Sequence, residues 1–191
     1  MRTTLIRFTA LALLAGLPVA ANAATTPAPA TRTSMFAGVE GTSSTIFQHG
    51  QSSFSGIGLR VRLAPFVMPD LEVMPGLEYW RNTSSIPVYD IHSERSDATL
   101  GVDARYRFPG TSWRPYGGVG FGIHFLSSRV DAAPLGVNNA RHSIMKGAVS
   151  VLGGVSFPLA GAFDTFLEGK YQAVSDYEQF KLSWGLSYTQ R

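Results

Sequence analysis

The stretch RPYGGVGFGIHF, Arg114 to Phe125, separates into two unlike series when every second residue is read. Trp113, Pro115, Gly117, Val119, Phe121, Ile123 and Phe125 make one series, apolar with aromatic ends. Arg114, Tyr116, Gly118, Gly120, Gly122 and His124 make the other, small or polar. Side chains alternate between the two faces of a strand, so this is a strand with one apolar and one polar face. A soluble sandwich would turn the apolar face to a second sheet. A membrane barrel would turn it to lipid, with aromatics at both interfaces and the polar face inside.

The same period recurs along the chain. Ile57, Leu59, Val61 and Leu63 alternate with Gly56, Gly58, Arg60 and Arg62, the cleanest such pattern. A short first strand sets Met35, Ala37 and Val39 against Phe36, Gly38 and Glu40. A third sets Leu71, Val73, Pro75, Leu77 and Tyr79 against Glu72, Met74, Gly76, Glu78 and Trp80. Pro75 inside it argues for an edge or a bulge. The fourth opposes Ala98, Leu100, Val102, Ala104, Tyr106 and Phe108 to Asp97, Thr99, Gly101, Asp103, Arg105 and Arg107. Arg114 to Phe125 is the fifth. Met145, Gly147, Val149, Val151, Val155 and Phe157 face away from Lys146, Ala148, Ser150, Gly154 and Ser156 in the sixth. In the seventh, Phe163, Thr165, Leu167, Gly169, Tyr171 and Ala173 oppose Asp164, Phe166, Glu168, Lys170 and Gln172. The last sets Phe180, Leu182, Trp184, Leu186 and Tyr188 against Lys181, Ser183, Gly185 and Ser187.

Between these strands, polar residues 42–52, 82–96 and 127–142 read as long loops, and 64–70, 109–112, 158–162 and 174–178 as short turns. Long and short connections alternating between an even number of strands is the asymmetry of an outer-membrane barrel, tight on the periplasmic side and looser outside. The fold class predicted is all-β, an eight-stranded antiparallel transmembrane up-and-down barrel. A soluble eight-stranded barrel of the lipocalin kind is the rival, but it would point its apolar series inward.

The residues opposite the apolar series carry nearly all strand charge, as acids and bases in near balance, and the apolar series carries none through mid-strand. A charge facing lipid costs about 2–4 kcal/mol at the bilayer midplane, so bilayer burial demands this segregation. Eight strands leave an interior that side chains about fill. Arg60, Arg62, Glu72, Glu78, Asp103, Arg105, Arg107, Arg114, Glu168 and Lys170 are therefore expected to pair into a charge network in the lumen.

Ahead of the strands, Arg2 and Arg7 precede an apolar run from Phe8 to Ala20, closed by Ala21-Asn22-Ala23. This reads as a secretory signal peptide, residues 1–23, cleaved between Ala23 and Ala24. Residues 24–33 follow as a flexible lead-in, and 34–191 as the barrel domain. The two leader arginines account for two of the three net positive charges, so the basic balance implies no nucleic-acid partner. The chain has no cysteine, which removes disulfides, thiolate metal sites and Cys nucleophiles.

Three segments, WRPYGGVGFG (Trp113 to Gly122), LEGKYQ (Leu167 to Gln172) and the terminal FKLSWGLSY (Phe180 to Tyr188), resemble the small bacterial outer-membrane proteins with an OmpA/OmpX-like barrel domain. The resemblance covers essentially the whole of the chain after the expected signal peptide. It implies a bacterial outer-membrane location after export through the inner membrane. It also implies contact with outer-membrane lipid and lipopolysaccharide, and insertion by the outer-membrane assembly machinery, which in such proteins reads a final aromatic. Tyr188 matches that aromatic, with Thr189-Gln190-Arg191 after it as a departure from the pattern. No peptidoglycan-binding domain follows, so a wall-anchoring role is not implied, and a monomer is expected.

Residues that invite a chemical reading carry a plainer one as well. Gly118-x-Gly120-x-Gly122 lies within a strand, whereas a nucleotide-binding glycine loop joins a strand to a helix. The glycines are expected to make room in a crowded lumen. His49, His92, His124 and His142 lack metal-ligand spacing; two lie in the expected loops and one near a loop edge, and exposed loop histidines are the plain reading. An outer-membrane lipid A deacylase family uses a His and a Ser two residues apart on a late strand, where this chain has Lys170-Tyr171-Gln172. His142 and Ser143 are adjacent, which points them to opposite faces. Asp90, Glu94 and Asp97 read as a solvated loop rather than a cation site. The expectation is a structural or surface-interaction protein acting through its extracellular loops, with no catalysis, cofactor or metal. A narrow channel for ions or small solutes is the alternative, and a lipid A-modifying enzyme the weaker one.

Overall fold

Eight strands, each antiparallel to its neighbours in sequence, close into a barrel when the last pairs with the first. In this computed structural model they are β1 (Phe36–Gln48), β2 (Phe54–Leu63), β3 (Leu71–Ile86), β4 (Ile91–Arg107), β5 (Arg114–Ala132), β6 (Val137–Ala160), β7 (Phe163–Val174) and β8 (Tyr177–Thr189). The structure describes residues 36–63, 68, 70–86, 91–109, 113–132 and 137–190. The expected signal peptide with its Ala23–Ala24 cleavage site, the lead-in, and Asp90 lie outside the described residues.

The alternation decides which way each strand faces. Ile57, Leu59, Leu77, Leu100, Val102, Val119, Phe121, Val149, Val151, Leu182 and Trp184 are all exposed on the outside, Val119 and Phe121 at 60%. Glu40, Arg60, Arg62, Arg105, Glu168 and Lys181 are buried inside. A soluble barrel with this exterior would present an apolar band far larger than the few hundred Å² that monomers tolerate. Turned to lipid, the same band is the stabilising surface.

Three of the expected connections differ from the structure. Most of 42–52, 82–96 and 127–142 is strand: β1 runs to Gln48, β3 to Ile86, β4 starts at Ile91, and β5 and β6 meet across residues 133–136. The asymmetry between the two ends thus lies in strand length rather than loop length. β3 to β6 have 16, 17, 19 and 24 residues, against 10 to 13 for the other four. A tilted strand needs about 9–11 residues to cross the hydrocarbon, so β3 to β6 project well beyond it. Their ladders continue through the polar residues, as in Thr83↔Glu94, Glu94↔Arg129 and Arg129↔Arg141, with a register shift in β5–β6 between Val130 and Ala132.

Two further details follow from the backbone. A register shift between Phe36 and Gly38 turns Phe36 outward, 41% exposed, although the simple alternation places it with Glu40. Pro75 falls just past the end of the β2–β3 ladder, which runs from Gly56↔Trp80 to Arg60↔Gly76. Its missing N–H is therefore tolerated inside a closed sheet. Gly161, with φ +58°, forms the tight turn from β6 to β7.

Candidate functional site

The lumen is built from the inward series of all eight strands. Glu40 on β1 is its most connected carboxylate: it accepts from Arg105 Nη2 at 2.6 Å and Arg62 Nη2 at 2.7 Å, and Arg60 Nη2 lies 3.5 Å away. Glu72 joins the same group, 2.9 Å from Arg105 and 2.8 Å from Arg107. Arg60 donates to both oxygens of Glu168, at 2.8 and 3.1 Å, and Tyr116 donates to Glu168 at 3.1 Å. The Arg105 guanidinium stacks 4.3 Å over the Tyr116 ring. Farther along, Lys170 donates to both oxygens of Asp103 at 2.9 Å, and Lys181 donates to Glu78 at 2.5 Å. Removing such charges from water is costly unless partners and hydrogen bonds replace the solvent, and here each carboxylate has at least two cationic or hydroxyl partners.

Nine of the ten lumen residues singled out from the sequence meet in this network. Arg114, half-buried at the start of β5, makes none of its ion pairs among the described residues; only its backbone carbonyl is engaged, by Ser156 Oγ at 3.4 Å. Glu40 and Lys181 belong to the network although neither was singled out, and the parity of each on its strand carried the signal. The glycines of the fifth strand do make room: a Cβ on Gly120 would overlap the Asp103 carboxylate and come within 2.6 Å of Ser150 Oγ. On β6, a Cβ on Gly154 would lie 2.6 Å from the Tyr116 ring.

Toward the end opposite the start of β1 and the end of β8 the lumen changes character. His124 is fully buried, its place in the polar series of β5 pointing it inward. Its Nδ1 lies 2.5 Å from Asp97 Oδ2 and 2.9 Å from Thr99 Oγ1. Above this pair, Ile46, Phe54 and Trp80 form an apolar cluster with Leu126 packed on it, the Phe54 and Trp80 rings 4.6 Å apart. Ile46 lies in a segment that reads as a loop in sequence, so this plug was not foreseeable from periodicity. One void among the lumen charges measures about 10 Å³, room for about one water.

Beyond the plug, the inward faces of the projecting strands enclose an open mouth. One cavity of about 200 Å³ is lined by Trp80, Arg95, Leu126, Ile144, Lys146 and Tyr177, among others. A second, of about 280 Å³, is polar, with Gln51, Asn82, Ser84, Ser93 and Arg95. Lys146 pairs with Asp176 and lies 5.9 Å over the Tyr177 ring. Burial, and after it the Asp97 carboxylate, pushes the Tyr177 phenol above its ordinary range, so it remains a neutral O–H donor. His142 lines this mouth, while Ser143 lies on the outward face and donates to the Leu126 carbonyl at 3.3 Å. Glu94 faces outward to Arg81 at 2.7 Å and Asp97 faces inward, so the strand separates these two carboxylates.

A family model described as outer membrane protein beta-barrel domain matches residues 9–189. The chain belongs to that family. It is an outer-membrane protein of bacteria, a small eight-stranded barrel. Among solved structures it is similar to Neisserial surface protein A (NspA), at 17% identity and a TM-score of 0.57, over 81% of this chain and 96% of that one. It is also similar to Ail, the attachment invasion locus protein of Yersinia pestis, in complex with the heparin analogue sucrose octasulfate, at 16% identity and a TM-score of 0.56 over 81% and 97%. The N-terminal barrel of Pseudomonas aeruginosa OprF matches at 13% identity and a TM-score of 0.51, over 81% and 98%. No curated protein sequence matches the chain. At these identities the likeness is one of fold.

Proposed function

We propose that this barrel is a non-catalytic surface-interaction protein that presents the projecting part of β3 to β6 to a polyanionic saccharide outside the cell, lipopolysaccharide included. The observation that carries the reading is the contrast between the two ends of the same strands. Within the membrane their inner faces are occupied by an ion-pair network under an apolar plug, which supports a closed rather than a conducting barrel. Beyond it the same strands continue around the open mouth, with polar residues on their outward faces. The outward positions of those strands hold Arg81 on β3, Arg129 on β5 and Arg141 on β6, with Arg129 opposite Arg141 in register and Glu94 of β4 between Arg81 and Arg129. Guanidinium groups in such a row suit sulfate and phosphate oxygens. The complex of Ail with a heparin analogue supports the same class of partner.

Two measurements test this. In planar lipid bilayers the folded protein is expected to give no conductance steps; steps that vanish in Arg105→Gln or Glu78→Gln would establish the channel reading instead. Binding to immobilised heparin-like glycan is expected to fall with salt and to weaken about tenfold or more in an Arg81/Arg129/Arg141→Gln triple variant, since each charged hydrogen bond contributes about 1.5–3 kcal/mol when well formed. Release of acyl chains from lipid A by the purified protein, abolished by His142→Ala, would overturn the non-catalytic reading.

A further inference from the structure

We propose that the inner wall of the mouth is a saccharide site, which takes one or two hydroxyl-rich sugar units at the end of a glycan. The observation is a row of four side chains that the register sets side by side across the projecting strands. Asn82 on β3 stands opposite Arg95 on β4, Arg95 opposite Ser128 on β5, and Ser128 opposite His142 on β6. Directly opposed residues on one face of a sheet have their Cβ atoms about 4.5–5.5 Å apart, so the row is continuous. All four line the mouth cavities, of about 280 and 200 Å³, and Arg95 lines both. Small-ligand sites begin at about 300 Å³, a size the two reach only when used together. The row lies on the inward face of the strands, so it is separate from the outward arginine row and does not depend on it.

The chemistry of the wall is two-way. Ser84 and Ser93, opposite each other in register, form a second rank beyond the row, and Gln48 and Gln51 join from the end of β1 and the turn after it. Amide, hydroxyl and neutral imidazole groups each donate and accept, and Arg95 adds a planar fork of donors. Sugar hydroxyls also donate and accept, on neighbouring carbons of one ring. A carboxylate only accepts, and would leave the acceptors of Asn82, Ser128 and Gln51 unanswered. Neither cavity is lined by a carboxylate among the described residues, so none on the wall competes for the fork of Arg95. Asn82 donates to Gln51 at 3.4 Å, a long contact that uses one donor and one acceptor and leaves the remaining capacity of both amides to a ligand. The floor is apolar instead: Leu126 and Ile144 line it beside Trp80, on the outer side of the plug. The C–H face of a pyranose ring suits that floor while its hydroxyls turn to the row.

The test uses the full chain, folded in lipid nanodiscs, with maltose, cellobiose and lactose as probes, followed by saturation-transfer NMR and isothermal titration. Saturable binding of at least one disaccharide is expected, with a Kd of roughly 0.1–10 mM. Tetraethylene glycol, whose chain oxygens only accept, and trialanine, which has no hydroxyl side chain, are expected to bind at least about tenfold more weakly. Asn82→Leu and Arg95→Met, which keep volume and lose the polar group, are each expected to weaken the disaccharide about three- to tenfold, and their combination to abolish it. The Arg81/Arg129/Arg141→Gln triple variant on the outward face is expected to leave it unchanged, so that failure of either site is seen apart from the other. Absence of binding for all three disaccharides, equal binding of trialanine or tetraethylene glycol, or binding that survives in the Asn82/Arg95 double variant would overturn the proposal. Heat-modifiable gel mobility of every variant separates loss of binding from loss of folding.

Discussion

Glu40 shows how much of this molecule depends on single buried charges. It is 1% exposed and accepts from two guanidinium groups, with a third at 3.5 Å. Removing it leaves those cations buried and short of a partner, a loss of about 3–5 kcal/mol. Glu40→Ala is therefore expected to lower the urea midpoint of the folded protein in lipid vesicles, followed by tryptophan fluorescence, by far more than Arg114→Ala does. An equal shift for both would mean that the network contributes little. The glycines make a second residue-scale case. Gly120→Ala forces Asp103 off Lys170 and crowds Ser150, at about 1–3 kcal/mol. Gly147→Ala meets nothing within 4 Å and is expected to be neutral in the same assay.

At the scale of one strand, β5 passes through two environments without a break. From Arg114 to Phe125 its outward residues are apolar, and Ser127 and Arg129 beyond them are polar, while the ladder to β6 continues along both parts. A charge placed outward in the first part meets lipid and in the second meets water. Phe121→Arg is expected to cost about 2–4 kcal/mol near the midplane, and Ser127→Arg less than about 0.5 kcal/mol; refolding into vesicles at graded urea measures both. The same property explains why residues 82–96 and 127–142 read as loops. Period-2 patterning exists only where two faces meet different surroundings. Once both faces are wet, the strand is held by backbone hydrogen bonds and cross-strand pairs, and the pattern in the side chains disappears.

The whole barrel depends on β8 finding β1. Gly185 pairs with Thr42 across that closing seam, and a Cβ there would run into the Gly41 carbonyl and approach the Phe166 ring to 2.6 Å. Gly185→Val is expected to prevent closure, read as loss of the heat-modifiable band in detergent gels, whereas Gly153→Val on the lipid face of β6 retains it. An unclosed sheet leaves two rows of unpaired backbone groups in hydrocarbon, each costing several kcal/mol. Closure is therefore expected to be all or none.

From residues such as Leu59 and Arg60, adjacent and opposite in character, the strand count, the inside and outside of the barrel, its place in a membrane and most lumen charges could be read directly. The solvents on the two sides of the sheet differ so strongly that each dictates its own residue type at every second position. Which carboxylate sits at the hub, the burial of His124 against Asp97, the plug of Ile46, Phe54 and Trp80, and the polar mouth were decided only by the closed barrel. These depend on the stagger between strands distant in sequence, such as β1 against β4 in the Glu40–Arg105 pair. Alternation along one strand specifies a face but carries no information about which distant residue will lie across the lumen from it.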